Sequence, residues 1–326
     1  MMSPTTLDAS RWESLGWYTA TLKVWIRFIF LHEYTSFVAW WLICVPILVG
    51  VAFALIVYIV ISAISLFMFI YKKINNAPED MLSKVWDKPR HILSYLGATC
   101  GKILHGYEII GVENIPEGPG IIVLYHGAMS YDYSFFASNM FLLTGRVCHS
   151  VVDNKLFTVP GLKGYLELFG CIPGSRAKGV EILKKGQLLG VVPGGMKEAL
   201  FGDNYYQLMW GNRTGFAHVA LEAKVPIIPM FTQNIREVGR TFGNTRFTRW
   251  LHDKTRWFFL PIIGYFPVKL RTYLGEPIPY DPNITAEELV QKTKTAIENI
   301  RDKHQKIPGS ILRALSERFE KHHKEN

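Results

Sequence analysis

The sequence predicts an α/β fold: a mixed, mainly parallel sheet flanked by helices, behind an N-terminal helical membrane segment. Two patterns carry the prediction. From about residue 107 onward, short continuous apolar runs such as Ile121–Tyr125 (IIVLY) and Leu188–Val192 (LLGVV) alternate with longer amphipathic stretches. Runs of that kind fit strands buried on both faces, and the stretches between them fit the helical crossovers that join parallel strands. Ahead of them, Phe37–Tyr71 contains no Asp, Glu, Lys, Arg or His.

As one straight helix, that uncharged run would be about 52 Å long at about 1.5 Å per residue, against a hydrocarbon core of about 30 Å. Pro46 removes a backbone donor within it. Two segments are therefore expected, Phe37–Val49 and Val51–Tyr71, meeting as a hairpin at a bend near Pro46–Gly50. A single tilted and kinked span is the alternative. The run begins too late for a secretory signal and no A-x-A-like site follows it. Upstream, Trp17–Leu31 mixes aromatics with Lys23 and Arg27, as in a helix lying in the membrane interface. The expected plan is residues 1–36 as an interfacial segment, 37–71 as a membrane hairpin or kinked span, and 80–326 as the α/β domain. Lys23 and Arg27 on one side and Lys72 and Lys73 on the other place both ends on the cytosolic face.

Hydrophobic residues make up 49% of the chain and the formal net charge is +9. Beside a membrane segment, a basic chain suits an anionic lipid surface, and no nucleic-acid fingerprint is present. The four cysteines, Cys44, Cys100, Cys148 and Cys171, have neither metal-ligand nor disulfide-framework spacing. A reducing compartment follows, with Asn212-Arg213-Thr214 and Asn283-Ile284-Thr285 as chance matches to glycosylation sequons.

Within the α/β domain, a helix is expected from about Met81 to Leu104, then a strand at Tyr107–Val112 and a turn at Ile115–Gly120. Ile121–Tyr125, Arg146–Val152, Leu188–Val192, Val225–Phe231 and Arg271–Leu274 read as further strands. Tyr131–Leu143, Ala177–Lys185, Gly215–Ala223 and Thr285–His304 read as helices. Thr285 with Glu288 has capping-box spacing, and Leu289, Thr293, Ile297 and Ile300 recur on one face behind it. Arg246–Phe259 (RFTRWLHDKTRWFF) interleaves basic and aromatic residues. It reads either as a membrane-docking stretch beside the site or as a helix with its aromatics in the core.

The candidate chemistry begins at His126, directly after a buried strand, with Asp132 opening the next helix. Active groups of open α/β sheets collect at the carboxyl ends of strands. There His126 can act as a general base oriented by Asp132; a strand-end His and a helix-capping Asp are the structural alternative. After a second buried strand, Pro193-Gly194-Gly195 allows close backbone approach, and its N–H groups can meet an oxyanion. Lys197 and Glu198 lie just beyond, and Arg176 heads another helix, where it can fork to a phosphate.

Together these segments resemble the glycerolipid acyltransferases related to bacterial 1-acylglycerol-3-phosphate acyltransferase. The family's His-x4-Asp motif corresponds to His126 and Asp132, and its Ile-Pro-x-x-Arg-like block to Ile172-Pro173-Gly174-Ser175-Arg176. Its Phe-Pro-Glu-Gly-Thr-Arg motif corresponds to Val192–Lys197 and its Val-Pro-Ile-Ile-Pro motif to Val225–Pro229. The resemblance covers roughly Gly106–Gly275. Segments YHGA, PGG-x-x-EAL and VPIIPMFTQNIRE further resemble a short endoplasmic-reticulum member with an N-terminal membrane segment. That likeness implies the endoplasmic-reticulum membrane, with the catalytic domain facing the cytosol.

Two departures bear on substrate. His126 and Asp132 are separated by five residues rather than four, so Asp132 must swing back to reach the imidazole. Gly194 stands where the family has Glu, and Lys197 where it has Arg. The Pro-Gly-Gly-x-x-Glu form resembles diacylglycerol acyltransferases of the second type, whose acceptors carry no phosphate. A neutral acceptor, monoacylglycerol or diacylglycerol, is therefore expected, with Arg176, Pro193, Gly194, Gly195, Lys197 and Glu198 binding substrate. Backbone N–H groups of Gly127, Gly194 or Gly195 would hold the oxyanion. The donor is acyl-coenzyme A or a membrane phospholipid; no cofactor or metal is expected, and the partners are membrane lipids, with any membrane-protein regulator left open. Rival readings are a lysophospholipid (lysophosphatidate) acyltransferase, an ester hydrolase lacking any G-x-S-x-G nucleophile, and an inactive lipid-binding scaffold.

Overall fold

A computed structural model describes the backbone of residues 6–241, 244–255 and 262–319. The chain clusters into two compact units, Met1–Ile59 and Val60–Asn326.

The first helix, α1, spans Thr6–Asn75. Helix continues through position 46, so the turn expected near Pro46–Gly50 is not formed and the hairpin reading of 37–71 gives way to unbroken helix. A proline removes one backbone hydrogen bond and crowds the carbonyl four residues back, which can kink a helix without ending it. Among the described residues, one stretch is long and apolar enough to cross a membrane, the 21 residues Leu55–Asn75. Near its end Met68 is buried with Ala77, Trp86 and Leu168.

Beyond α1 the order is α2 (Asp87–His105), β1 (Glu108–Ile110), β2 (Gly120–Leu124), α3 (Tyr131–Thr144), β3 (Cys148–Val152), α4 (Leu162–Leu168) and β4 (Cys171–Pro173). Then come α5 (Arg176–Lys184), β5 (Leu188–Val191), α6 (Gly195–Phe201), α7 (Gly215–Ala223), β6 (Ile227–Gln233), α8 (Ile235–Val238) and β7 (Gly239–Thr241). The chain closes with α9 (Arg246–Thr255), β8 (Ile262–Gly264), β9 (Arg271–Leu274), α10 (Ala286–His304) and α11 (Ile311–Ser316). The α10 start is the capping box expected of its sequence: the Thr285 hydroxyl accepts from Glu288 N while the Glu288 carboxylate accepts from Thr285 N.

Seven strands form one sheet in the order β1-β9-β6-β2-β5-β3-β4. All neighbours are parallel except β6 and β9, which run antiparallel. β7 and β8 make a separate antiparallel pair. The mixed, mainly parallel sheet is therefore the predicted one. All five residues of β2 and all seven of β6 are buried. A Val, Leu or Ile in such a position contributes about 1.5–3 kcal/mol relative to exposure, which explains why β2 and residues 227–231 of β6 read as apolar runs.

This strand order positions the site. β2 lies between β5 and β6 and is parallel to both, with Val123 beside Val191 and Leu124 beside Met230. The carboxyl ends of the three strands therefore finish side by side. The residues following β2 (His126), β5 (Pro193–Gly195) and β6 (Arg236) converge there, although 110 positions separate His126 from Arg236.

Candidate active site

His126 leaves the end of β2 on a loop whose backbone is held from below. Its N–H donates to Glu198 Oε2 at 2.9 Å, and its carbonyl accepts from Arg236 Nη2 at 3.4 Å. The second Glu198 oxygen accepts from Met209 N at 2.8 Å. Arg236 is 2% exposed and also donates to Tyr125 Oη at 2.8 Å, to Ala199 O at 2.9 Å and to Glu198 O. Burial pushes the Glu198 carboxyl up to about 7, against the pull of the Met209 and His126 N–H groups and of the Arg236 and Arg213 cations. Glu198, expected as a substrate contact, is fully buried and grips the histidine loop instead.

The imidazole itself faces a cavity of about 650 Å³. His126 Nδ1 lies 2.6 Å from the Gly127 carbonyl oxygen. A carbonyl only accepts, so Nδ1 carries the proton and Nε2 keeps its lone pair. Ser130 Oγ is 3.3 Å from Nε2. Burial, helped by the Arg236 cation, lowers the imidazole to about 4, so the ring is neutral at physiological pH. A neutral imidazole in a cavity lining, its Nε2 lone pair accepting from the Ser130 hydroxyl, is the state a general base needs.

Asp132 opens α3 and is 1% exposed. Among the described residues, the ring partners of His126 are Gly127 O and Ser130 Oγ, and Asp132 is not one of them. Asp132 Oδ1 is instead buried without a hydrogen-bond partner. Burial raises its carboxyl to about 6, opposed by the Thr232 hydroxyl and the N–H groups of Tyr133 and Asp132. An unpaired buried acceptor costs about 1–3 kcal/mol, so this oxygen is a standing site for an N–H or O–H donor.

The glycine turn divides by function. Gly195 has φ +52, a left-handed conformation that favours glycine, and its N–H already donates to Val192 O at 3.1 Å. Of the three glycines expected as oxyanion donors, Gly195 lines the cavity with its N–H so engaged, while Gly127 and Gly194 are buried outside the lining. Pro193 supplies a carbonyl that accepts from Arg213 Nη1 at 2.7 Å. A Cβ at Gly195 would approach that same nitrogen to 2.7 Å.

Of the expected cations, Lys197 lines the cavity and pairs with Asp253 at 3.0 Å. Arg176 opens α5, is exposed and lies outside the cavity lining. Sequence patterns assigned no role to Arg213 and Lys155, the other basic residues of the lining, nor to Ser130. The lining also includes the apolar Leu124, Ala137, Val151, Leu156, Leu166 and Phe169. A largely apolar cavity lined also by Lys155, Lys197 and Arg213 and by the unprotonated His126 suits transfer to or from a long-chain lipid bearing a polar head.

The comparisons with known proteins agree with this class. The family described as Acyltransferase matches residues 106–233. A protein of Bos taurus named "DGAT1/2-independent enzyme synthesizing storage lipids" is 47% identical over 307 residues, 94% of this chain and 92% of that protein. Its namesake in Homo sapiens is 47% identical over 301 residues, 91% and 92% of the two chains. Among solved structures, the 1-acyl-sn-glycerophosphate (LPA) acyltransferase PlsC from Thermotoga maritima superposes with a TM-score of 0.52 at 16% identity, covering 79% of this chain and 96% of its own, which shows a shared fold. This chain belongs to the acyltransferase family and is an acyltransferase.

The titration of Asp132 gives a first expectation. If its carboxylate stabilises the imidazolium formed in the reaction, kcat/KM falls as pH drops through about 6, where Asp132 takes up a proton. The His126 ring alone would place that limb near 4. A pH profile of the wild type separates the two, and a limb near 4 would remove Asp132 from the mechanism.

Proposed function

We propose that the protein is a membrane-bound glycerolipid acyltransferase that esterifies a hydroxyl of monoacylglycerol or diacylglycerol to form di- or triacylglycerol. The observation that carries the mechanism is the His126 ring in the cavity lining, with Nδ1 committed to a carbonyl and the Nε2 lone pair met by the Ser130 hydroxyl, which an acceptor hydroxyl would replace. His126 Nε2 takes the proton of the acceptor hydroxyl while its oxygen bonds to the acyl carbonyl carbon. The tetrahedral oxyanion is held by backbone N–H groups of the Gly194-Gly195 turn or of Gly127. The bond to the leaving group then breaks, and the imidazolium returns the proton to the departing thiolate of coenzyme A, or alkoxide of a phospholipid. Asp132 stabilises the imidazolium, and its unpartnered Oδ1 supports that role. Arg213 and Lys155 in the lining are the cations offered to the phosphate that either donor carries.

A neutral acceptor is supported from two directions. The relatives are named for storage-lipid synthesis. Arg176, the residue expected to meet an acceptor phosphate, is exposed outside the cavity, and Lys197 is engaged with Asp253. Residence in the endoplasmic-reticulum membrane with the catalytic domain in the cytosol is supported by the Leu55–Asn75 stretch and by four free cysteines.

The test is product analysis with purified protein in phosphatidylcholine vesicles. Monoacylglycerol, diacylglycerol and lysophosphatidate are each offered with acyl-coenzyme A or with labelled phospholipid as donor. Labelled di- or triacylglycerol is expected. Phosphatidate as the sole product would replace the neutral acceptor by lysophosphatidate.

A further inference from the structure

Helix α9 is amphipathic in the unusual sense. Phe247, Trp250 and Leu251, at i, i+3 and i+4, are 66%, 55% and 38% exposed, while His252 is 6% exposed. The three apolar side chains share one helical face and His252 lies on the far side. Phe247 and Trp250 stack at 6.0 Å between ring centroids, forming one continuous apolar surface. His252 lines the active-site cavity and meets the Phe201 ring edge-on at 5.4 Å. Arg249 lies over the Phe201 ring at 5.7 Å, and Asp253 pairs with Lys197 at 3.0 Å. These contacts fix the helix against the catalytic domain by its polar side. Trp257, Phe258 and Phe259, which continue the aromatic stretch in sequence, lie outside the described residues.

We propose that the exposed face of α9 docks into a lipid bilayer at the rim of the cavity. The inference rests on the reading of this site as one that takes bilayer lipids as substrate. Three features select a bilayer as the occupant. Trp and Phe favour the headgroup level of a membrane, and the patch is led by them. Arg246 and Lys254 are exposed beside and within the patch, where long basic side chains reach anionic headgroups while their stems cover apolar surface. The chain also carries its own membrane-spanning candidate, Leu55–Asn75, so a bilayer is tethered at high effective concentration. With α9 seated in the headgroup layer, the cavity wall that bears His252 lies next to the leaflet. A glycerolipid then passes from leaflet to cavity without crossing water.

The test places a fluorescent bimane label at position 247 (Phe247→Cys) in full-length protein with Cys100→Ser, the exposed native thiol being removed. The protein is reconstituted in vesicles of phosphatidylcholine with and without phosphatidylserine, doped with lipids bearing a nitroxide near the headgroup. Position 287 (Glu287→Cys), exposed on α10, serves as the control. Strong quenching at 247 and little at 287, increased by phosphatidylserine, is the expected result. A water-exposed label that the lipid nitroxides leave unquenched overturns the proposal. A blue-shifted but unquenched label also overturns it, because a protein, a second copy or another partner, would then cover the face. Quenching is read without turnover, so it stands or falls independently of the assigned acyl transfer. In the activity arm, Phe247→Ser with Trp250→Ser is expected to lower kcat/KM on long-chain lipid in vesicles about tenfold, and to leave a short-chain soluble substrate nearly unchanged.

Discussion

Replacing His126 by Ala is expected to lower kcat for acyl transfer by about 10²–10⁴-fold, with a much smaller change in KM. A general base acts on the proton that moves in the transition state, so its loss appears in turnover rather than in substrate binding. The fold should survive the change. The His126 side chain faces the cavity rather than the core, and the contacts that hold its loop belong to its backbone: N–H to Glu198 and carbonyl to Arg236. Expression, membrane insertion and unfolding temperature should therefore match the wild type. The neutral state of the ring, with its ionisation lowered to about 4, means that the effect holds throughout the neutral pH range. Measured turnover of the His126→Ala variant within a few-fold of wild type would remove His126 from the chemistry.

The main elements of the sheet were legible because burial writes itself into composition. β2, β5 and β6 are the central strands; β2 and β5 are apolar throughout, and β6 is apolar up to Phe231. α10 announces itself by Thr285 and Glu288 and by the period of its buried face. The edge strand β4, Cys171-Ile172-Pro173, is three half-buried residues with one neighbour and leaves no such trace. Pro46 illustrates the opposite error. A proline is a strong local signal for a break, yet the helix continues past it, and no local rule weighs that cost against the surrounding apolar run. At the site, His126 and the glycine turn were found from their places after buried strands. Ser130, Arg213 and Arg236 were not, because nothing in a sequence separates a solvated cation from one aimed at a loop 110 residues away. Arg176 shows the converse, an arginine in a familiar motif that is exposed to solvent.

Moving one carboxylate by four positions is expected to remove and then restore activity. Gly194 has φ −66 and ψ −32, ordinary helical values that any residue adopts, so the backbone does not call for glycine there. Space does. A Cβ at 194 would fall on the Glu198 carboxylate, closer than side chains ever pack. The related family motif carries its glutamate at the position of Gly194, so a carboxylate there and the present one at Glu198 compete for one place. That place has a defined task, since its two oxygens accept the N–H groups of His126 and Met209. Glu198→Ala strands both donors and leaves Arg236 beside an empty volume, at a cost of about 1–3 kcal/mol per unpaired buried group. The histidine loop then loses its register, and misplacement of about 1 Å can cost about 10²-fold in rate. The double variant Gly194→Glu with Glu198→Ala returns a carboxylate to the same space from the neighbouring turn. It should recover most of that loss in kcat, whereas Gly194→Glu alone should be impaired by crowding. A purely structural role for Glu198 would show as parallel loss of unfolding temperature and activity in Glu198→Ala, with both unrecovered in the double variant.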